Sequence, residues 1–211
     1  MKYRIIPVTP YRQNCSLLIC ERTGKAAIVD PGGDIELIQD AIAGQNATPE
    51  CILITHGHLD HVGATAELAE LLAIPVLGPH KDDQFWLDAI PSQCRSFGFP
   101  ASKSFIPSHW LSQGDVVGVG EEKLEVLHCP GHTPGHVVFF HRASKLALVG
   151  DVLFRGSIGR TDLPKGDYKT LIHSIKNRLW PLGKEVAFIP GHGPMSTFGE
   201  EMQSNPFVKI K

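Results

Sequence analysis

Short apolar runs alternate with polar segments containing Gly and Pro along the whole chain. Apolar runs of about four to eight residues are typical of buried strands, whereas apolar positions spaced three or four apart over a longer segment indicate helices. The first half has strand-like runs at 15–20, 25–29 and 52–55. Helical patterns cover 35–43, with Asp34 as the expected N-cap, and 64–72, with an expected apolar face of Ala64, Leu68, Leu71 and Leu72.

The second half repeats this order of strands followed by a helix. Strand-like runs lie near 123–128, 136–141 and 145–149, and a helical pattern follows near 168–179. Asp167 is the expected N-cap of that helix, and its buried stripe is expected to contain Leu171, Ile172, Ile175 and Leu179. The pattern predicts an α/β protein, although the sequence similarity between the two halves is too weak to identify a repeat.

Composition and charge narrow the class of protein. The 211 residues are 42% hydrophobic and 20% charged, which is ordinary for a globular protein, so we expect a single domain over 1–211. A formal net charge of −2 lacks the basic excess of a nucleic-acid-binding protein and argues against a nuclease. The sequence has neither an apolar stretch of about eighteen residues nor the apolar segment of a signal peptide, so we expect a cytoplasmic protein without membrane contacts.

Cysteine usage agrees with a reducing compartment. The five cysteines are an odd number and lack CxxC spacing. This arrangement predicts reduced thiols rather than a disulfide framework or a thiolate zinc site.

The segment Thr55–His61, THGHLDH, carries the strongest chemical signal and directly follows an apolar strand-like run. Side chains two positions apart share a side on a strand but lie about 200° apart on a helix, so His56 and His58 can converge only on an extended or turning backbone. Asp60 and His61 are expected at the start of the helix at 64–72, where they point in different directions. One loop could therefore serve two metals, although a chance grouping of surface histidines is the alternative.

A zinc-like ion takes about four ligands, one of them water or substrate at a catalytic site, so further donors must come from elsewhere in the chain. His132, Asp151 and His192 each lie beyond a strand-like run, near Gly or Pro. Strand ends that each deliver one donor form a convergent rim on an α/β scaffold. Five imidazoles and two carboxylates suit Zn, Fe or Mn.

The other histidines lack ligand spacing. Pro134 and Gly135 exclude a helical pairing of His136 with His132, so His136 is expected to open the strand at 137–140. His128 and Cys129 lie beside the predicted site, where contact with a ligand or ordinary packing are both open. Surface or hydrogen-bonded positions are expected for His80, His109, His141 and His173.

Five ordered motifs resemble the metallo-β-lactamase superfamily: VDPGG at 29–33, THGHLDH at 55–61, PGHTPGH at 130–136, Gly150-Asp151 and PGHGP at 190–194. Within that superfamily the chain is most similar to small, single-domain bacterial hydrolases of the type II glyoxalase kind. The resemblance implies an αββα sandwich, in which two mixed β-sheets are flanked by helices and metals lie at one edge of the sheets.

The resemblance also implies a ligand set. His56, His58 and His132 would bind one divalent metal, Asp60, His61 and His192 a second, and Asp151 would bridge both. Zn is the expected metal, with Fe or Mn as alternatives, and a hydroxide bridging the metals would attack the substrate carbonyl. Asp60 is also a candidate catalytic proton acceptor or donor if the second metal is absent. Asp30 resembles the outer-shell aspartate of the family, although a plain turn role is equally open.

Two segments are candidates for substrate contact. The aromatic, loop-rich segment at 80–110 could form a binding wall or pack against the sandwich. Arg155, Arg160 and Lys165 lie in the loop after Asp151, where they could hold the carboxylates of a glutathione conjugate or remain solvated.

The function implied by the resemblance is hydrolysis of a glutathione thioester such as S-D-lactoylglutathione to glutathione and a 2-hydroxy acid. The long glyoxalases have a C-terminal helical substrate domain, which we do not expect here, so an open pocket with broad thioester binding is predicted. The alternatives are an iron-dependent persulfide dioxygenase of the same superfamily and a catalytically inactive scaffold. The exported location of the lactamases argues against their activity, and we expect a monomer that acts on a small-molecule thioester.

Overall fold

The structure, a computed structural model, describes residues 1–210, so Lys211 of the expected domain lies outside the described residues. Within that range the strands form a five-stranded sheet of order β1-β2-β3-β4-β5, a six-stranded sheet of order β13-β12-β9-β8-β7-β6, and a β10-β11 hairpin. The strands of the first sheet are β1 (Lys2–Val8), β2 (Gln13–Ile19), β3 (Lys25–Val29), β4 (Thr48–Leu53) and β5 (Val76–Leu77). The helices of this half are α1 (Ile35–Gly44), α2 (Leu59–Val62), α3 (Thr65–Leu72), a 3-10 turn (Lys81–Asp83), α4 (Gln84–Asp88) and α5 (Ile90–Phe97).

The second half supplies the larger sheet and the helices on its outer face. Its strands are β6 (Val116–Val119), β7 (Glu122–His128), β8 (Val137–His141), β9 (Leu146–Gly150), β12 (Ala187–Pro190) and β13 (Ser196–Thr197). The hairpin strands are β10 (Leu153–Phe154) and β11 (Ser157–Ile158). The helices are α6 (Tyr168–Ser174), which continues as a π-helical segment (Ile175–Leu179) and a 3-10 turn (Trp180–Leu182), and α7 (Phe198–Ser204).

Three apolar clusters show how these elements are layered. One cluster joins α1 to α5 to the outer face of the first sheet, and another joins α6 and α7 to the outer face of the second. The third lies between the sheets, where Leu53 of β4 packs with Phe139 of β8. Alternate residues of β8 serve different clusters, since Val138 and Phe140 face the helices whereas Phe139 faces the other sheet. This αββα order confirms the fold class expected from the sequence.

Both sheets are mixed. In the first sheet β3, β4 and β5 are parallel neighbours and β1 and β2 are antiparallel, while in the second β9 and β12 are parallel within an otherwise antiparallel sheet. The parallel strands place the carboxyl ends of β3 and β4, and of β9 and β12, side by side. The loops that leave β4, β9 and β12 carry six of the seven predicted donors, and His132 follows the antiparallel strand β7.

Several local predictions are confirmed. Asp167 caps α6, with its carboxylate accepting the Thr170 N–H at 2.7 Å. Leu171, Ile175 and Leu179 of the predicted stripe are fully buried, and Ile172 is half-buried. The five cysteines are free and buried.

No helix within residues 1–210 has the length and apolar character needed to cross a membrane.

Four local predictions were wrong in whole or in part. Asp34 lies at the N-cap position of α1 but has a φ of 48°, and its carboxylate accepts the Thr9 N–H at 2.7 Å instead of capping the helix. Asp60 and His61 do not start the helix at 64–72; they belong to the separate helix α2, because the chain turns at Gly63 where Ala64 donates to the Pro31 carbonyl at 3.0 Å. Leu71 of the expected apolar face is 56% exposed. The helix predicted to continue to 179 changes to π-helical geometry at Ile175.

Candidate metal centre

The seven predicted donors meet at one place, although they come from four segments of the chain. His56, His58, Asp60 and His61 follow β4, His132 follows β7, Asp151 follows β9 and His192 follows β12. They fall into two groups, named here the imidazole group (His56, His58 and His132) and the mixed group (Asp60, His61 and His192). In each group, one ligand atom per residue lies within 4.8 Å of the other two.

The imidazole group is compact and buried. His58 Nδ1 lies 3.1 Å from His56 Nε2 and 2.9 Å from His132 Nε2. The exposed fractions of the three residues are 0%, 8% and 2% for His56, His58 and His132. Three imidazole nitrogens that face one point at these distances match three corners of a tetrahedral metal site.

The outer nitrogens of two rings fix which inner atoms carry lone pairs. His132 Nδ1 lies 2.7 Å from the Arg160 carbonyl, which can only accept, so Nδ1 carries the hydrogen and Nε2 of a neutral ring carries the lone pair. Thr55 Oγ1 donates to Asp30 at 2.5 Å and can therefore accept from His56 Nδ1 at 3.0 Å. His56 Nε2 is then also free to bind a metal.

The mixed group is held in the same way but is more open. His61 Nδ1 donates to Asp30 Oδ2 at 2.9 Å, and His192 Nδ1 donates to the Tyr11 carbonyl at 3.2 Å. Both Nε2 atoms therefore face inward. His192 Nε2 lies 3.1 Å from Asp60 Oδ2, and the exposed fractions of these two side chains are 29% and 18%.

Asp151 lies between the groups. Its Oδ1 is 3.3 Å from His61 Nε2, and its Oδ2 is 3.6 Å from His132 Nε2 and 3.8 Å from His192 Nε2. Within residues 1–210, Asp151 Oδ1 and His61 Nε2 are buried without a hydrogen-bonding partner in the protein. Buried polar atoms in native proteins are normally satisfied, so orphaned atoms that face a shared space fit cations at this place.

The protonation preferences of the two groups are opposite. Burial first, and then neighbouring imidazoles, holds the pKa of His56 well below its ordinary value, and burial with His132 lowers the pKa of His58 to about 3. Burial also lowers the pKa of His132. Burial opposes the charge on His61 and His192 as well, but Asp151 and Asp60 overcome it and raise the pKa of both.

The neighbouring histidines also change the pKa values of the two carboxylates. Burial works against their charged forms, yet His61 and its neighbours hold the pKa of Asp60 and Asp151 below the ordinary range. Carboxylates bind metals when ionised and imidazoles when neutral, so Asp60 and Asp151 are in the binding form, whereas His61 and His192 must first lose a proton.

Asp30 is in contact with the centre. Its carboxylate accepts the Thr55 N–H at 2.7 Å, the Thr55 hydroxyl and the His61 ring. It also has a φ of 51° at the turn before Pro31, so both roles left open by the sequence apply. Gln13 adds a second contact to His61 Nδ1, at 3.3 Å.

His136 was missed as a site residue. It does precede β8 as expected, but its Nε2 accepts the Asp151 N–H at 3.1 Å and its ring stacks on His56 with centroids 4.6 Å apart. The repeated Gly-His pair within PGHTPGH was the available signal. Spacing along the chain could not reveal the contact, because Asp151 reaches it from another strand.

The chain closes tightly around Asp151. A Cβ atom on Gly191 would lie 2.0 Å from Asp151 Oδ1 and 2.6 Å from His61 Cε1. On the other side, Asn14 of β2 donates through Nδ2 to the Pro190 and Gly193 carbonyls at 3.0 and 2.9 Å, and its N–H donates to Gly191 O at 2.7 Å. These bonds fasten the His192 loop of the second sheet to the first sheet.

The predicted substrate residues belong to the segment that follows Asp151 in the chain. Arg155 is exposed. Arg160 forms a bidentate pair with Asp162 at 2.7 Å, and Lys165 Nζ lies 4.1 Å from the centre of the Phe85 ring. Two of the three cations therefore already have partners within the protein.

Several of the remaining histidines and parts of the segment at 80–110 have contacts within the protein, and His109 is exposed. His128 Nε2 donates to the Pro134 carbonyl at 2.9 Å, its ring stacks on His80 at 4.3 Å, and Cys129 is part of the apolar core. His141 bonds to Ser144 and Glu122, and His173 to Asn177. Within 80–110, Trp86 packs on His58, and Phe99 and Trp110 pack against the core of the first half.

Comparisons with known proteins show which family and which structures the chain is similar to. The family described as the metallo-beta-lactamase superfamily matches residues 8–192. A protein of Haemophilus influenzae named hydroxyacylglutathione hydrolase GloC is 44% identical, and the match covers 100% of both chains.

Two solved structures are also similar over nearly the whole chain. The crystal structure of BLEG-1 B3 metallo-beta-lactamase has a TM-score of 0.91 and 36% identity, covering 99% of this chain and 100% of that one. The crystal structure of TTHA1623 in a di-iron-bound form has a TM-score of 0.88 and 37% identity, covering 97% of this chain and 100% of that one.

Proposed function

Since the chain belongs to the metallo-beta-lactamase superfamily, we propose that it is a metal-dependent thioester hydrolase acting on S-D-lactoylglutathione or a related acylglutathione. Water is added across the thioester, the C–S bond breaks, and glutathione and a 2-hydroxy acid are released. One observation carries this proposal: Asp151 lies between two separate groups of donors, with an oxygen close to each. The relative named hydroxyacylglutathione hydrolase, similar over its full length, supports the class of substrate.

Each donor has a role in this proposal. The imidazole group would hold one divalent cation, the mixed group would hold a second, and Asp151 would contribute to both. Zn is the proposed metal, with Fe or Mn as alternatives, and the relative described in a di-iron form supports a pair of cations. When bound, such cations acidify water and polarise a carbonyl, so a separate nucleophilic side chain is not needed.

The surrounding residues orient the donors. Asp30 and Thr55 accept from the outer Nδ1 atoms of His61 and His56, so that the Nε2 atoms of both rings face the centre, and His136 accepts the backbone N–H of Asp151. Asp60 lies near the open side of the centre, 3.1 Å from His192 Nε2, where its carboxylate could accept a proton during the reaction.

Substrate recognition is proposed for the cations of the segment after Asp151, which are Arg155, Arg160 and Lys165. Arg155 is the cation most available to a glutathione carboxylate, because Arg160 and Lys165 must first leave Asp162 and Phe85. Exposed ion pairs contribute only about 0–1 kcal/mol, so a substrate carboxylate can displace Asp162 from Arg160 at little cost.

A paired measurement tests the function. Elemental analysis of freshly isolated protein gives its metal content, and loss of thioester absorbance with S-D-lactoylglutathione is followed before chelation, after chelation and after return of the metal. We expect turnover that disappears with the metal and recovers with it. S-lactoylcysteamine, a thioester without the glutathione carboxylates, serves as the matched substrate and should be hydrolysed with a higher KM.

Two other activities are measured on the same preparation. Oxygen uptake with glutathione persulfide tests the dioxygenase alternative, and ring opening of a chromogenic cephalosporin tests the activity in the name of the 36% identical lactamase. A metal-loaded protein that consumes oxygen or opens the β-lactam, but leaves the thioester intact, would overturn the proposal.

A further inference from the structure

The segment at 80–88 lies against both loops that supply the imidazole group. It contains the 3-10 turn and α4, which follow β5. Within it, Asp83 has an exposed fraction of 0%. A fully buried carboxylate is rare unless its oxygens are satisfied, so its partners indicate what it does.

Three donors from two distant loops bind the Asp83 carboxylate. Oδ2 accepts the Gly57 N–H at 2.9 Å and the Thr133 hydroxyl at 2.7 Å, and Oδ1 accepts the Gly135 N–H at 2.6 Å. Gly57 lies between His56 and His58, whereas Thr133 directly follows His132. The carboxylate therefore joins the two loops next to all three members of the imidazole group.

Neighbouring contacts leave the segment little freedom to move. The His80 N–H donates to the Gly135 carbonyl at 3.0 Å, and the Asp83 N–H donates to the His80 carbonyl at 3.0 Å. The Trp86 ring meets the His58 ring edge-on, with centroids 4.5 Å apart. A Cβ on Gly57 would lie 2.7 Å from Trp86 Cβ, so the loop and α4 are already in close contact.

The Asp83 side chain is separate from the proposed metal ligands. It bonds to backbone and hydroxyl groups beside the histidines and to none of the imidazoles within the described part of the chain. Burial raises the pKa of Asp83 to about 6, although its three hydrogen bonds favour the ionised form. Because Asp83 bonds to the two loops and not to the imidazoles, it acts on the imidazole group through the spacing of these loops.

We propose that Asp83 is a positioning residue that holds the Gly57 and Thr133 loops in register, so that His56, His58 and His132 converge on one cation. This inference rests on the proposed function, because it requires the imidazole group to bind a metal. The bond pattern favours a carboxylate over an amide. Asn in its place would turn an NH2 group towards an N–H or hydroxyl donor and leave at least one loop unbonded.

Cobalt binding tests the proposal without relying on turnover. The full chain is stripped with a chelator and titrated with Co²⁺, and the visible absorption and the two dissociation constants are recorded. In Asp83→Asn we expect roughly 10–100-fold weaker binding at the imidazole group and an altered absorption band there, the range typical for loss of a group that orients a metal ligand. Binding at the mixed group should remain as in the unmodified protein.

Control variants separate positioning from general loss of structure. Asp88→Asn makes the same chemical change at an exposed position of α4 and should leave both constants unchanged. Thr133→Val removes one bond to Asp83 and should weaken only the imidazole group, whereas Thr133→Ser keeps the hydroxyl and should restore it. These two variants decide the matter if Asp83→Asn does not fold.

The outcomes distinguish this inference from the proposed function. An unmodified chain that binds no Co²⁺ would contradict the metal-dependent function itself. An unmodified chain that binds two Co²⁺ ions, together with folded Asp83→Asn and Thr133→Val variants that bind both equally well, would overturn the role of Asp83 alone. A folded variant that binds Co²⁺ equally more weakly at both groups would also overturn the role of Asp83, because a positioning effect must be confined to the loops that Asp83 joins.

Discussion

The imidazole group and the mixed group meet at Asp151, yet the chain builds them differently. The first consists of three buried rings whose pKa values are lowered. The second combines two imidazoles of raised pKa with a carboxylate, and Asp60 and His192 are partly exposed. Under the proposed function, this comparison predicts that the buried imidazole group favours a cation over protons, whereas at the more exposed mixed group a cation competes with protons.

The largest expected effect comes from Asp151, the residue that the two groups share. Asp151→Ala should remove both cations and lower kcat for thioester hydrolysis by roughly 10³-fold or more, because loss of metal assistance costs several kcal/mol and each 1.36 kcal/mol is tenfold. Elemental analysis and the thioester assay measure the two losses. His173→Ala, on the outer helix α6, is the control and should leave both unchanged; full activity in Asp151→Ala would refute the shared role.

Removing one imidazole from each group tests whether the groups are separate. His132→Ala should abolish binding of the first cation, and His192→Ala should weaken binding of the second while leaving the first in place. The second change is the milder one, because His192 is partly exposed and water can take its position. Calorimetric titration with Zn²⁺ gives the stoichiometry of each variant, and identical losses would mean that the two groups act as one.

Substitution of Thr55 tests whether the hydrogen bond that fixes the tautomer of His56 strengthens cation binding at the imidazole group. Thr55→Val removes the oxygen that accepts from His56 Nδ1 while keeping the shape of the side chain. We expect roughly 10–100-fold weaker binding of the first cation, as is typical for loss of an orienting hydrogen bond. Thr55→Ser retains the hydroxyl and is the matched control, so equal affinities for the two variants would show that the bond has no influence.

Lowering the pH should release the second cation before the first. Free imidazole, with a pKa of about 6.5, loses its proton as the pH rises through that value. His61 and His192 have raised pKa values and are still protonated there, so a cation must displace those protons. The lowered pKa values of the imidazole group keep those rings neutral in the same range. Dissociation constants measured between about pH 8 and pH 6 should therefore rise by up to about tenfold per unit for each proton displaced at the mixed group, and little at the other. Simultaneous loss of both would contradict the assigned difference.

The sequence predicted the donors better than their supports. His132, Asp151 and His192 could be found because each follows a strand and lies near Gly or Pro, which are local signals. Asp167 was predicted as a cap for the same reason, since its partner, Thr170, is three residues away. Asp34 also directly precedes a helical pattern, but its carboxylate accepts the Thr9 N–H instead of an N–H of α1. No pattern near Asp34 in the sequence indicates that Thr9 competes for the carboxylate.

The positions of Asp83 and His136 depend on the assembled fold in the same way. Asp83 bonds to residues near 57 and 134, and His136 accepts from Asp151, so neither role has a fixed spacing in the chain. The sequence left Arg160 and Lys165 either to hold a substrate carboxylate or to remain solvated, and it did not predict their contacts with Asp162 and Phe85. Lys165 and Phe85 lie far apart in sequence, and only the folded chain brings them into contact.

The bonds between Asn14 and the loop around His192 have a consequence for how the protein matures. Each group of donors takes members from both halves of the chain, and Asn14 fastens the last of these segments to the first sheet. A nascent chain in which only the first half has folded possesses neither complete group. Under the proposed function, tight uptake of metal would therefore require the two halves to have docked, and it would distinguish finished molecules from those in which they have not.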